Sequence, residues 1–309
     1  MPKNILPHLA LLFLTMIYGS SFFVAKEVMP EYWNPNFFIF VRVLGATTLF
    51  WLIRLVVKEK IARKDIYTMA LCAVFGVAGN QLLFFQGLSR TSAVDSAVIM
   101  VSTPVLVTIF SFFILKTKLT TLKITGILIG LLGASYLIYL GGGESSKESS
   151  ILGNLLVFLN ATFYGIYIVI VKPLMMKYKP ITVISTVFLF GAIYVTPFGL
   201  YEIKDTNFNL PRSAWIAVGF IVFFTTFCTY LLNAFALSRL QPTVAASYIY
   251  LQPVFAMLTG LVFALYNNTE NGTIYITLPK VLATAFIFLG VYLISKSSTT
   301  KQTNNKLIS

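Results

Sequence analysis

Arg42 is the residue that most needs explaining, because the stretch around it, FFIFVRVLGATTLFWL, carries no other charge. A cation in hydrocarbon is costly, so such a residue faces a protein interior, a partner or a solute path. It stands seven residues past Pro35, roughly 10 Å along a helix at ~1.5 Å per residue. Asp95 stands roughly 6 Å beyond Thr91 by the same rise, so the two residues reach comparable depth and can pair. Their counterparts in the second half of the chain, Val187 and Val244, are apolar, which makes any joint role a property of the first half. The alternative is that Arg42 extends its stem outward to the interface while Asp95 caps its own helix.

A second group is polar but uncharged: Tyr18, Asn80, Gln81, Tyr164, Thr229, Tyr230 and Gln252, all within long apolar stretches. Tyrosine offers an apolar ring with a hydroxyl, and the amides both donate and accept, which suits a small polar or zwitterionic solute. Each residue alone can equally be interhelical glue, with about 0.6 kcal/mol per bond on average; as a set at one depth they point to a cavity. Pro104 and Pro253 each remove a backbone donor and disfavour helix just before them, as a bend or hinge requires. His8 is the only histidine, so no paired-histidine metal site can form, and the chain has no phosphate-binding glycine loop with its lysine. No cofactor is expected. Cys72 and Cys228 lie in apolar segments and read as small buried residues, not as a disulfide framework.

The elements that must position these residues are long apolar helices. Hydrophobic residues make up 57% of the 309-residue chain and charged residues 11%, against about 25% charged in soluble domains. Mean hydropathy is +0.83. Apolar runs near the ~20 residues needed to cross hydrocarbon place spans at 8–28, 36–57, 66–88, 92–115, 120–140, 152–173, 181–201, 213–237, 242–266 and 277–295. The first is expected to be a retained helix and not a cleaved leader, since only Lys3 precedes a long apolar run. The Gly/Ser-rich stretch GGGESSKESS from Gly141 to Ser150 is the longest polar connection and marks the midpoint.

Basic residues in short loops stay on the cytoplasmic side of a membrane. Lys3, Arg54, Lys58, Lys60, Arg63, Lys64, Lys116, Lys118, Lys123, Lys172, Lys177, Lys179, Arg239, Lys296, Lys301 and Lys306 fall on one side, against Lys26, Arg90, Lys147, Lys204, Arg212 and Lys280 on the other. Both termini are therefore expected in the cytoplasm, with the protein in the plasma (inner) membrane. The net charge of +13 is spread over loops facing anionic lipid and forms no single patch, so membrane lipid and not nucleic acid is the expected partner. Two sequons, at Asn267 and Asn271, fall in an outside loop and matter only in a glycosylating cell.

The two sides of the linker repeat one another. Tyr18-Gly19 and Lys26 recur as Tyr164-Gly165 and Lys172, each 146 residues later. Leu88-Ser89-Arg90 recurs as Leu237-Ser238-Arg239, and Ala97 and Pro104 as Ala246 and Pro253, each 149 later. Leu132-Gly133 recurs as Leu289-Gly290. With five spans per half, the second half must enter the membrane from the opposite side, giving inverted-topology repeats of the kind secondary transporters use. The expected fold is thus an all-α integral membrane protein with ten transmembrane helices as two inverted-topology five-helix repeats, residues 1–140 and 152–296. An extracytoplasmic linker at 141–151 joins them, and a cytoplasmic tail follows at 297–309. The glycine run Gly126, Gly130 and Gly133 is spaced for close helix approach.

The Tyr18-Gly19 span with Lys26, Arg42 in the second span, the Leu88-Ser89-Arg90-Thr91-Ser92-Ala93 junction, the Pro104 and Pro253 spans and the Gly126–Gly133 segment together resemble the EamA-like family of the drug/metabolite transporter superfamily. The likeness covers nearly the whole chain. It implies a ten-helix exporter of amino acids or other small metabolites. Where that family often has a glycine-glutamate pair after the fourth span and a tryptophan before the first-span glycine, this chain has Lys116-Thr117-Lys118 and Tyr18. The expected activity is secondary transport of a small-molecule solute by alternating access, without enzymatic chemistry. A membrane enzyme acting on lipid-linked substrates is the alternative, and would need clustered Asp, His or Glu at one interface. A sensor or scaffold would need a soluble output domain, for which the spans leave no room.

Overall fold

A computed structural model describes residues 5–26, 28–29, 32–91, 96, 99–141, 150–252, 254–255, 258–259, 262 and 278–306. Among them the regular elements are helical: α1 (Ile5–Lys26), α2 (Pro35–Arg54), α3 (Arg63–Leu88), α4 (Thr103–Leu115), α5 (Thr121–Gly141), α6 (Ile151–Lys177), α7 (Pro180–Glu202), α8 (Arg212–Arg239), α9 (Pro242–Ser247) and α10 (Leu278–Lys306). The helices α2, α3, α6, α7 and α8 are long and apolar enough to cross a membrane, and α1, α4, α5 and α10 carry shorter apolar stretches.

Local chemistry sets several of the boundaries. Prolines open α2, α7 and α9 at the first helical positions, where the missing N–H is not needed and φ is preset. Ser150 caps α6 by accepting from the Gly153 N–H at 2.9 Å. Lys116 ends α4 in the left-handed conformation, φ 50°. Two spans depart from simple helices. The expected fourth span turns at Val101–Ser102 before α4 begins with Pro104 near its N-terminus. The expected ninth span tightens into a 3-10 turn at Tyr248–Leu251 just before Pro253. In both the change falls within a few residues of a proline that cannot donate to the preceding turn. The last helix continues to Lys306, through most of the expected tail.

Packing pairs the helices α1 with α8, α3 with α6, α2 with α7 and α5 with α10. Glycines set the α5–α10 distance: a Cβ on Gly290 would stand 2.6 Å from the Gly130 nitrogen, and one on Gly126 would stand 2.9 Å from the Gly290 carbonyl. Between α2 and α7, Phe50 and Phe188 have ring centroids 4.8 Å apart, and Thr47 donates to the Phe188 carbonyl. The periphery stays apolar, with Phe113, Leu132 and Phe286 exposed, as a lipid-facing surface requires.

Polar groups gather at two opposite ends. At one, Glu202 accepts from Asn36 Nδ2 and the Phe37 N–H, Gln86 donates to Asn36, and Arg90 donates to Gln86. This brings together the start of α2 and the ends of α3 and α7. At the other, Asp65 pairs with Lys177 and accepts from the Tyr178 hydroxyl, while Glu59 accepts from the Lys179 N–H. Lys123 reaches Gln241 at 3.3 Å, and Lys172 donates to the Leu237 carbonyl at the C-terminal end of α8.

Candidate functional site: a polar cavity between the two halves

The site is shaped by two distortions of otherwise regular helices. Within α3, Val74–Ala78 form a π turn, and within α8, Ile221–Cys228 form another. A π turn inserts a residue, shifts the helical register and leaves backbone groups open to other partners. The first is followed directly by Gly79-Asn80-Gln81 and the second by Thr229-Tyr230. Each turn receives a polar group from the other half of the chain. The Tyr230 hydroxyl donates to the Gly76 carbonyl at 3.0 Å, and Arg42 Nε donates to Thr226 Oγ1 at 3.0 Å. Thr226 in turn donates to the Ile221 carbonyl five residues back, at 2.8 Å.

Between these turns lies a cavity of about 120 Å³, room for roughly four water molecules at about 30 Å³ each. Its wall comes from α1, α2, α3, α6, α8, α9 and the 3-10 turn. Of the seven polar residues expected to meet a solute, Tyr18, Asn80, Gln81, Tyr164, Tyr230 and Gln252 line it, and so does Arg42. Thr229 does not. It is fully buried beside Tyr18, and its hydroxyl returns to the Thr225 carbonyl at 2.6 Å in its own helix, as threonine in a helix commonly does. Pro104 is buried at the start of α4, away from the wall. Asp95 and Pro253 lie outside the described residues, so the expected Arg42–Asp95 pair does too.

Sequence reasoning missed several wall residues. Asn160 donates to the Asn80 carbonyl at 2.7 Å, Asn233 donates to the Tyr164 hydroxyl at 3.2 Å, and the hydroxyl of the wall residue Tyr248 meets His8, which lies behind the wall, at 2.7 Å. Asn160 precedes Tyr164 by four positions and Asn233 follows Tyr230 by three, spacings that share a helix face and could have found both. Phe84 and Phe85 supply apolar wall. Gln81 is 3% exposed. Its amide lies close to Tyr230, yet neither its nitrogen nor its oxygen reaches a partner within hydrogen-bonding geometry. Arg42, 6% exposed, has the Phe85 ring 5.1 Å from its guanidinium carbon.

The cavity has the size and polarity to shelter a small solute, and among its described wall residues no nucleophile stands beside a base. No group of three or more potential metal ligands occurs among the described residues. The chain matches the model of the EamA-like transporter family twice, over residues 5–139 and 151–296. It is 27% identical over 262 residues to the uncharacterized transporter YyaM of Bacillus subtilis, covering 83% of this chain and 85% of that protein. It is 26% identical to an uncharacterized transporter of Archaeoglobus fulgidus, covering 91% and 96%, and 26% identical to the uncharacterized inner membrane transporter YedA of Escherichia coli, covering 94% of each. One solved crystal structure superposes with a TM-score of 0.71 at 15% identity over 95% of this chain and 98% of the other, a likeness of fold alone. With the family matched over both halves of a helical, apolar chain, the protein belongs to the EamA-like transporter family and is a multi-pass membrane transporter.

Proposed function

We propose that the protein is a secondary transporter that exports amino acids or similar small metabolites by alternating access, with the cavity as the solute's path. The observation that carries this reading is that Tyr18, Asn80 and Gln81 from the first half and Tyr164, Tyr230 and Gln252 from the second face one cavity. A site at the interface of two repeats is reached from either side when one bundle rocks against the other. The wall combines rings with amides and hydroxyls, which suits a small molecule having an apolar body and a polar head.

In this reading the halves are inverted repeats, residues 1–140 and 152–296, joined by an extracytoplasmic linker at 141–151 and followed by a cytoplasmic tail at 297–309. Four observations support it. The family matches each half separately. The helix pairings are unchanged when spans one to five are exchanged for spans six to ten. Both π turns fall at equivalent positions, 149 residues apart in the alignment of Asn80-Gln81 with Thr229-Tyr230. Finally, α2 starts at the end of the bundle where α7 finishes, so these equivalent helices run in opposite directions. In this reading both termini lie in the cytoplasm, which the basic loops favour, and the membrane is the inner one, the membrane that YedA's description names for that protein.

A growth screen tests export. Cells expressing the protein should tolerate raised concentrations of one or more toxic amino acids or metabolite analogues relative to cells without it. Identical growth across a broad panel, with the protein present in the membrane, would count against export.

A further inference from the structure

Arg42 presents a charge that its described surroundings do not balance. Its guanidinium carries five N–H donors in a planar fork. One, on Nε, is used by Thr226. The Phe85 ring and the nearby hydroxyl-bearing residues Tyr18 and Tyr230 are neutral companions, and the cavity wall includes no carboxylate among the described residues. Burying a cation without a counter-charge is strongly unfavourable. Beside it, the Gln81 amide is buried in the same wall next to Tyr230, with neither polar atom meeting a partner in good hydrogen-bonding geometry, costly unless something else satisfies it. Two unsatisfied groups of this kind, one cationic and one able to donate and accept, converge on one small cavity.

We propose that Arg42 and Gln81 form the head-group subsite of the cavity, and that it takes solutes carrying a single carboxylate on a compact apolar body. The guanidinium fork matches the two oxygens of a carboxylate in bidentate geometry. One carboxylate balances one guanidinium, whereas a phosphate dianion would leave an excess negative charge in a low-dielectric site. Gln81 Nε2 donates a further bond to the carboxylate, and Phe84, Phe85 and Ile221 face the body. An ammonium group is optional in this assignment: a plain carboxylic acid and an amino acid share the recognised chemistry. The proposal rests on the cavity being the solute site, but it concerns binding and can be tested without flux.

The test uses the purified full-length protein and three compounds with one carbon skeleton: leucine, 4-methylpentanoate and leucinamide. Ligand binding to the folded state raises its melting temperature by an amount that grows with the logarithm of ligand concentration over Kd, so thermal unfolding across a concentration series reads each compound. Leucine or 4-methylpentanoate should stabilise the wild-type protein and leucinamide should not. Arg42→Gln should weaken the carboxylate response by on the order of ten-fold or more in concentration, and Gln81→Leu by less. Gln81→Leu also serves as the folded comparison if Arg42→Gln is unstable without ligand. Stabilisation by leucinamide but not by 4-methylpentanoate, or no response to either carboxylate, overturns the assignment. So does an unchanged carboxylate response in Arg42→Gln. Wild-type affinity in the double variant Arg42→Gln/Asp95→Asn also overturns it, because Arg42 would then serve only to neutralise Asp95. Carboxylate binding that depends on Arg42, in a protein that protects no cell in the growth screen, would preserve this subsite and refute export.

Discussion

The Tyr230 hydroxyl closes a gap that the π turn of α3 opens, donating to the Gly76 carbonyl across the interface between halves. In a membrane interior that carbonyl has no water to turn to. Tyr230→Phe keeps the ring, which packs edge-on against Phe188 with centroids 4.8 Å apart, and removes only the bond. It should lower stability by about 0.5–1.5 kcal/mol, seen as a small fall in melting temperature of the purified protein. An unchanged or higher melting temperature would show that the bond contributes nothing. At this scale the sequence was legible where a polar type interrupts apolar runs: Arg42, Gln81 and Tyr230 are visible that way. Thr229 looked the same in sequence yet turned back to its own backbone, because a threonine hydroxyl can satisfy itself within its helix. Asn160 also interrupts an apolar run, nine residues into the 27-residue helix α6, and its four-residue spacing from Tyr164 ties it to the same face.

Helices and their contacts follow from sequence less evenly. The span positions are legible because hydrocarbon demands length and apolarity, and the α5–α10 seam because glycine spacing announces close approach. The π turns at Val74–Ala78 and Ile221–Cys228 are not legible, since VFGVA and IVFFTTFC carry no residue that forces an inserted position. The first packs tightly against another helix: the Tyr167 ring lies so near Gly76 that a Cβ there would be 2.3 Å from it. The seam gives a test with an internal control. Gly290→Ala places a methyl against the α5 backbone, which cannot rotate away as a side chain can. Overpacking of this kind costs about 1–3 kcal/mol. Nothing stands within 4 Å of a Cβ on Gly219, so Gly219→Ala should be neutral or stabilising by roughly 0.5–1 kcal/mol through helix propensity. Gly290→Ala should lower the melting temperature, and Gly219→Ala should leave it unchanged or raise it. If Gly290→Ala melts at or above wild type, the seam is looser than the glycines indicate.

For the molecule as a whole, duplication, inversion and orientation all bear on one question: whether the two halves form a path that opens alternately to each side. The proposed inversion puts the linker on the opposite side of the membrane from both termini, and the basic loops favour the termini inside. Single cysteines at Ser146 and Ser298, in a background lacking Cys72 and Cys228, should therefore label differently. An impermeant thiol reagent should reach the first in intact cells and the second only after lysis, and equal labelling of both in intact cells would refute the orientation. The most direct test of the solute path is to obstruct it. Gln81→Trp places an indole in a cavity of about 120 Å³, whereas Leu52→Trp puts the same group on the exposed periphery, where Leu52 is 57% exposed. In the growth screen, at matched membrane abundance, Leu52→Trp should protect cells as the wild type does and Gln81→Trp should not. Protection by Gln81→Trp equal to wild type would contradict a solute path through this cavity.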